Sequence, residues 1–403
     1  MLMPDRLFGP LSIVQITENE MSRRLLYFCP ASLGGIAEYA HAQATALAEQ
    51  GVDVTLLCPV DWPYALPTAY RQLRLLRSTV SSSTKKRWRS RLRTAKSLLV
   101  EHAKLASVIR AYSFRRVLLA TYLEYLAPFW APSLRRLVRR GVVFGAVLHD
   151  PVRDYVVGPL WWHRWSVAEG YSFLREVFVH AEVDLGPASR KLPLRKTVIP
   201  HGPYDLGDPI RGRRFVRDEL SLPNDAVVLL SFGHIRDGKN LDVLLRAMVD
   251  LPDIFLLIAG TEATAGQKPS AFYRLLAEEL GVASRCRWLV RYIETELVAD
   301  LFECVDLVVL TYSSQFRSAS GVLNLAVRYR RPMIASSGDS ALAQVIGQYG
   351  LGIRVQPDDA KEVARGLSCA LRSNLECDWD GYMHDHSWTI NADRVATSMD
   401  LQA

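Results

Sequence analysis

From residue 225 onward, short unbroken apolar runs alternate with amphipathic helical stretches, and this alternation restricts the possible folds more than any other feature of the chain. "AVVLLSF" is followed by "NLDVLLRAM", "DIFLLIAG" by "SAFYRLLAEELG" and "RCRWLVR" by "ETELVADLFECV". "DLVVLTY" then leads to "SGVLNLAVRYR", "PMIAS" to "SALAQVIGQYG", and "GIRVQ" to "DAKEVARGLSCALRS". Apolar runs of this length without polar alternation suit strands covered on both faces, and helices between them cover those faces. The expectation is a parallel, doubly wound α/β sheet, a Rossmann-like domain.

The first half repeats the theme. "RRLLYFC" reads as a strand, "GGIAEYAHAQATALAEQG" as a helix stopped at Gly51, and "VDVTLLC" as the next strand. "RRVLLAT", "GVVFGAVLHD", "EVFVHA" and "TVIPHG" continue the series. A chain of 403 residues is long for one core, so two Rossmann-like domains facing a cleft are expected. Their boundary falls near "HGPYDLGDP", which is rich in Gly, Pro and Asp. This divides the chain into 1–203 and 204–385.

Residues 1–24 do not build the apolar core of a secretory signal, and runs such as Val142 to Leu148 are far shorter than the ~20 residues that span a bilayer. Cys29, Cys58, Cys286, Cys304, Cys369 and Cys377 are scattered without C-x-x-C spacing and read as reduced residues of a cytoplasmic protein, not as zinc ligands or disulfides. Between Arg71 and Arg140 stand eighteen basic residues and two acids, a local charge of +16. Against +7 for the whole chain, the remainder carries −9. This basic insert interleaves Trp88, Phe129 and Trp130, a composition that fits an anionic membrane surface, where each Lys or Arg adds ~1 kcal/mol. Nucleic acid is the rival partner for such charge and a solvated helical face the plain alternative, but no nucleic-acid-binding module surrounds the segment.

Ligands of open α/β sheets bind beyond the carboxyl ends of the strands. "SFGHIRDGKN" therefore places Gly233, His234, Arg236 and Lys239 at a cleft, with a helix start at Asn240 adding its positive end. A phosphate or diphosphate fits there, and a solvated turn is the alternative. "RSASGVLNLA" places Ser318, Ser320 and Gly321 at another helix start, either an anion site or an ordinary serine cap. Gly260 closes "FLLIAG" and Tyr292 follows "RCRWLVR", at the ends of neighbouring strands. In the first half, Gly34 and Gly35 mark a strand-to-helix turn that is not G-x-G-x-x-G. His149 and Asp150 end the strand in "VLHDP", where either could receive a proton from a hydroxyl or be structurally satisfied. His201 in "VIPHG" reads as a hinge residue.

In order and spacing these segments resemble the retaining glycosyltransferases of the GT-B fold, family 4-like, also called glycosyl transferases group 1. "GGIAEYAHAQATALAEQGVDVTLLCP" is similar to the family's first turn, helix and second strand, "FGHIRDGKNLDVLLRAM" with "FLLIAG" to its donor-site core, and "HSWTINADRV" to its closing segment. The resemblance implies that 386–403 returns to pack on the first domain. It implies transfer of a sugar, with retention and without a metal, from a nucleotide sugar to a lipid-linked, membrane-associated or oligosaccharide acceptor in polysaccharide biosynthesis. No cofactor beyond the donor is implied.

On this resemblance Lys239 meets the donor diphosphate and His149 with Asp150 approaches the reacting hydroxyl, making these three the catalytic candidates. Gly34, Gly35, Gly233, His234, Arg236, Lys239, Gly260, Tyr292, Ser320 and Gly321 form the nucleotide-sugar site. His234 stands where the family has an arginine. The family's paired glutamates fall on Arg317 and Leu325, so both acids are missing and ribose recognition must be arranged differently. A non-catalytic scaffold of this fold and a nucleotide-sugar epimerase are the alternative readings.

Overall fold

The computed structural model describes residues 23–77, 87–121, 124–149, 158–186, 193–204, 206–262, 267–317 and 320–401. Two parallel sheets organise them. The first runs β3-β2-β1-β4-β5-β6-β7, built from β1 (Arg24–Phe28), β2 (Asp53–Pro59), β3 (Arg71–Leu76), β4 (Arg116–Leu119), β5 (Val143–Leu148), β6 (Glu176–Val179) and β7 (Arg195–Val198). The second runs β10-β9-β8-β11-β12-β13, from β8 (Val227–Phe232), β9 (Ile254–Gly260), β10 (Cys286–Val290), β11 (Leu307–Thr311), β12 (Met333–Ser336) and β13 (Gly352–Arg354).

Strand order reverses direction beside β1 in one sheet and beside β8 in the other. Connections on either side of such a point go to opposite faces and leave a crevice at the carboxyl ends. The Gly34–Gly35 turn follows β1, and the Gly233–Lys239 loop follows β8. Each central strand is buried as its composition demands: Leu25, Leu26, Tyr27 and Phe28 of β1 and Val228, Leu229 and Leu230 of β8 have no exposed surface.

Two features differ from the sequence reading. The start of the basic insert, "RQLRLL", is the edge strand β3, pairing with β2. It mixes Arg and Gln with Leu and is mostly exposed or half-buried, as suits an edge strand, and such a pattern carries no buried-strand signal. The helix expected to start at Asn240 is a short helix, Leu241–Ala247, preceded by a 3-10 turn over Asp237–Lys239, with Asn240 itself left-handed at φ 52°.

One apolar cluster covers the inner face of each sheet and runs between them, joining Tyr27, Tyr39 and Leu56 to Val228, Leu230 and Val308. Separate clusters fill the outer faces. The final helix, Trp388–Ser398, returns to the first sheet's domain. Asn391 donates to Tyr39 Oη at 3.0 Å and to the Pro200 carbonyl at 2.6 Å, and accepts from Gln43 at 2.6 Å. Trp388 donates to the Pro203 carbonyl at 2.7 Å and lies against Gly202, where a Cβ would come within 2.6 Å of the indole. Cys29, Cys58, Cys286 and Cys304 are buried thiols. No helix among the described residues is long and apolar enough to cross a membrane.

Candidate functional site

A cavity of about 510 Å³ opens between the carboxyl ends of the two sheets. Gly34, Gly35 and Glu38 form its N-terminal wall, and Tyr204 and Leu206 of the connecting segment form its back. Phe232, Gly233, His234, Arg236 and Lys239 enter after β8, and Gly260 and Thr261 after β9. Arg291, Tyr292, Ile293, Thr295 and Val298 follow β10, and Tyr312, Gly321, Val322 and Leu325 follow β11. A second cavity, about 590 Å³, lies at the ends of β12 and β13 and is lined by residues including Arg317, Ser337 and Arg354. It is larger, but loops of both sheets converge only on the first, which we take as the site.

The cationic loop is held before any ligand arrives. The Asp237 carboxylate accepts from Lys268 N at 3.0 Å and Tyr273 Oη at 3.1 Å. Asn240 Nδ2 donates to Asp358 at 2.7 Å, Thr311 Oγ1 donates to the Lys239 carbonyl at 3.1 Å, and Ser313 N donates to the Gly238 carbonyl at 3.0 Å. Gly233 and Gly260 let β8 and β9 close at their ends: Gly260 has φ +144°, and a Cβ there would overlap the Gly233 carbonyl.

Lys239 is half-buried, and its ammonium donates to the Phe232 carbonyl. Burial, then the charge of Arg236, pushes its pKa down to about 7. Burial, followed by the charges of Lys239 and Arg236, also holds the His234 imidazolium below its usual range. A cationic cluster short of counter-charge at the mouth of a cleft is a receptor for an anion.

Ser320 caps the helix Gly321–Arg328 with extended backbone, but its hydroxyl is 3.0 Å from Tyr312 Oη and makes no cap bond. Gly321 borders the cavity, and a Cβ there would sit 3.8 Å from the Tyr204 ring. Ser318 lies outside the described residues. The structure thus brings together Gly34, Gly35, Gly233, His234, Arg236, Lys239, Gly260, Tyr292 and Gly321, with Ser320 immediately behind.

His149 stands apart from this lining. Its Nε2 meets the Ala120 carbonyl at 3.1 Å and its Nδ1 lies 3.3 Å from His180 Nε2. His149, His180 and His201 pack around the Tyr39 ring with centroids 4.6, 5.4 and 5.1 Å away. Burial first, then the neighbouring imidazoles, pushes each of the three down to about 3. All are neutral at physiological pH. Asp150 lies outside the described residues. His201 Nε2 is 3.0 Å from Tyr204 Oη, so the hinge histidine orients a side chain that faces the cavity.

Sequence reasoning missed Tyr204, which lay in a stretch read as a boundary, and Glu38. Glu38 follows Gly35 by three residues on one helix, a spacing that puts both on the same face and was signal enough to find it. Arg317, in the place of a family glutamate, is exposed and donates to the Ser314 carbonyl at 3.0 Å; Leu325, in the other, lines the cavity.

Residues 212–383 match the family model "Glycosyl transferases group 1". D-inositol 3-phosphate glycosyltransferase of Mycobacterium ulcerans (strain Agy99) is 28% identical over 163 residues, 40% of this chain and 34% of that protein. The protein of the same name from Mycobacterium tuberculosis (strain ATCC 25177 / H37Ra) is 38% identical over 106 residues, 26% and 22% of the two chains. The chain thus spans between about a fifth and a third of the length of these curated relatives. Among solved structures, Anabaena Alr3699/HepE in complex with UDP-glucose aligns with TM-score 0.67 at 15% identity over 94% of this chain and 100% of that one. Sucrose-phosphate synthase from Thermosynechococcus elongatus aligns with TM-score 0.61 at 17% identity, over 94% and 96%. At this identity the likeness is one of fold, and the fold is GT-B.

Proposed function

Residues 212–383 are a group 1 glycosyl transferase domain within a GT-B fold, and from that premise we propose that the protein transfers a sugar from a nucleotide-sugar donor to a hydroxyl acceptor. The observation that carries this reading is the convergence of Lys239, Arg236, His234 and Gly321 on one wall of the interdomain cavity, opposite Gly34 and Gly35. A diphosphate seated there meets basic groups already in place, whose positive charge stabilises a leaving group. The bond from the anomeric carbon to the diphosphate oxygen breaks, a bond to the acceptor oxygen forms, and the acceptor proton ends on the diphosphate.

The finer points belong to the same proposal. Retention follows the family resemblance. Lys239 and Arg236 supply the neutralising charge for a reaction that runs without a metal, and full activity in EDTA is the expected result. His149 acts through Tyr39 and the neighbouring histidines as a positioning group, since both of its ring nitrogens face protein atoms.

A lipid-linked acceptor at an anionic membrane is supported by an apolar and basic surface on the N-terminal half. There Phe129, Trp161 and Trp165 are 64%, 65% and 46% exposed, and Arg136, Arg139, Arg140 and Arg164 are exposed nearby in the chain. Within the basic segment itself, Arg71, Arg74, Lys104, Arg115, Arg116 and Arg135 are engaged in hydrogen bonds to the protein. The missing glutamates favour one second reading, a scaffold that binds nucleotide without turnover.

The deciding experiment is calorimetric binding of UDP, GDP, ADP, TDP and their sugars to wild type and Lys239→Ala, followed by transfer assays with lipid-linked, oligosaccharide and sugar-phosphate acceptors. Selective binding lost in the variant, with acceptor-dependent turnover, supports the transferase. Binding without turnover supports the scaffold, and absence of binding overturns the donor site.

A further inference from the structure

Glu38 is the one carboxylate in the described lining of a cavity that otherwise carries His234, Arg236, Lys239 and Arg291. Among the described residues no hydrogen-bond donor or cation pairs with it. Arg291 is bound to Glu294 at 2.6 Å, and the Lys239 ammonium is turned to the Phe232 carbonyl. Glu38 is half-buried, and its carboxylate is open to the cavity. Burial accordingly raises its pKa. A carboxylate so placed is available to a ligand that enters the cavity.

What binds at Glu38 is not the anion, which its charge repels. It is a neutral, hydroxyl-bearing part of the same ligand. Its position narrows the choice. The charge of Glu38 bears on the phenols of both Tyr204 and Tyr292. Tyr204 stands over Gly321, beside the diphosphate cradle, and its hydroxyl lies 3.4 Å from the Gly35 carbonyl. Tyr292 belongs with Ile293 and Val298 to an apolar and aromatic wall suited to a base. A group between a diphosphate cradle and a base wall faces the ribose. On the facing helix, Leu325 sits one turn beyond Gly321 and offers that ribose no acceptor.

Resting on the donor-site reading above, we propose that Glu38 recognises the vicinal ribose hydroxyls of the nucleotide from the N-terminal half of the cleft. The ribose diol donates to the carboxylate while the diphosphate is held by the C-terminal half, so one ligand spans both domains. Nucleotide binding then draws the domains together, because neither half alone holds both parts.

The test compares the ribonucleoside diphosphate that wild type binds best with its 2′-deoxy counterpart by calorimetry, on wild type, Glu38→Ala, Glu38→Gln and Lys239→Ala, each checked by circular dichroism. Hydrogen bonds to a charged acceptor predict a ribose preference of roughly ten- to a hundredfold in wild type. Glu38→Ala loses that preference by weakening the ribonucleotide more than the deoxynucleotide, which keeps only its 3′-hydroxyl, and Glu38→Gln retains part of it. Lys239→Ala weakens both ligands and keeps their ratio. An unchanged ratio in Glu38→Ala overturns the proposal, and if that variant also loses transfer, Glu38 serves the acceptor instead. If wild type binds no nucleoside diphosphate, it is the donor-site reading that has failed.

Discussion

Asn324 and His201 are joined across the hinge: the Asn324 amide nitrogen lies 2.8 Å from His201 Nδ1, both buried. Asn324 belongs to the helix Gly321–Arg328 that borders the cavity, and its carbonyl oxygen accepts from Tyr382 Oη at 2.6 Å. His201 passes the constraint to Tyr204. The position of the cavity's back wall thus depends on a polar chain running Tyr382, Asn324, His201, Tyr204. Replacing Asn324 by Leu takes from the buried Tyr382 hydroxyl its acceptor, at a cost of about 1–3 kcal/mol, and leaves His201 Nδ1 only the Gly202 carbonyl at 2.9 Å. Such a variant should unfold at a markedly lower temperature and bind nucleotide more weakly, whereas an unchanged melting temperature would mean the chain carries no constraint.

The histidines around Tyr39 give the fold a pH dependence. His149, His180 and His201 are depressed from the ordinary value near 6.5 to about 3, so the folded protein refuses protons that the unfolded chain accepts. Stability is full above about 6.5 and is lost progressively as pH falls toward 3. Scanning calorimetry between pH 7 and pH 4 should record a steady fall in Tm. His180→Gln should reduce the proton uptake on unfolding by about one equivalent. A Tm independent of pH over that range would contradict the buried, neutral assignment.

Much of the site was legible because parallel strands all end at the same side. Once "AVVLLSF", "DIFLLIAG" and "DLVVLTY" read as strands of one sheet, the loops carrying Lys239, Gly260 and Ser320 had to share an edge. Gly34 and Gly35 followed by the same rule in the other sheet. What the pattern does not encode is contact between distant segments. Glu38, Tyr204 and Asn324 meet only because the two sheets dock. His149, His180 and His201 gather because β5, β6 and β7 are neighbours, each followed closely by one histidine. β3 escaped notice because its mixture of arginine, glutamine and leucine resembles the basic stretch that follows it.

Lys239 predicts a second pH effect, on binding. With its pKa near 7, the lysine is partly neutral in the free protein at pH 7.5, while a bound diphosphate requires the ammonium. Binding therefore takes up a proton, and affinity falls by up to about tenfold per unit as pH rises from 7.5 toward 9.5. Calorimetry in buffers of different ionisation enthalpy reads that uptake directly. The uptake should vanish in Lys239→Met. An affinity flat across this range would show that the lysine is charged before the ligand arrives. Folding responds in the opposite direction: the unfolded chain binds more protons between about 7 and 10.5, so stability contributed at this site rises with pH over that window.

Gly260 is the position at which one methyl group should separate folding from function. It ends β9 at φ +144°, and its neighbour across the ladder is the Gly233 loop, whose amide donates to the Ala259 carbonyl at 2.8 Å. A Cβ at Gly260 collides with the Gly233 carbonyl, which is backbone and cannot swing aside as a side chain can. The strands below are largely buried and paired in register from Val227↔Ile254 to Phe232↔Ala259, so they hold while the end of the ladder yields. Gly233 then moves outward and takes with it the Phe232 carbonyl that receives the Lys239 ammonium. Gly260→Ala should therefore keep its far-ultraviolet circular dichroism and lose about 1–3 kcal/mol of stability. Its affinity for nucleoside diphosphate should drop at least as far as in Lys239→Ala. Thermal melts with and without nucleotide measure both effects on one sample, and wild-type ligand stabilisation in Gly260→Ala would mean that the close approach of β8 and β9 is not what seats the lysine.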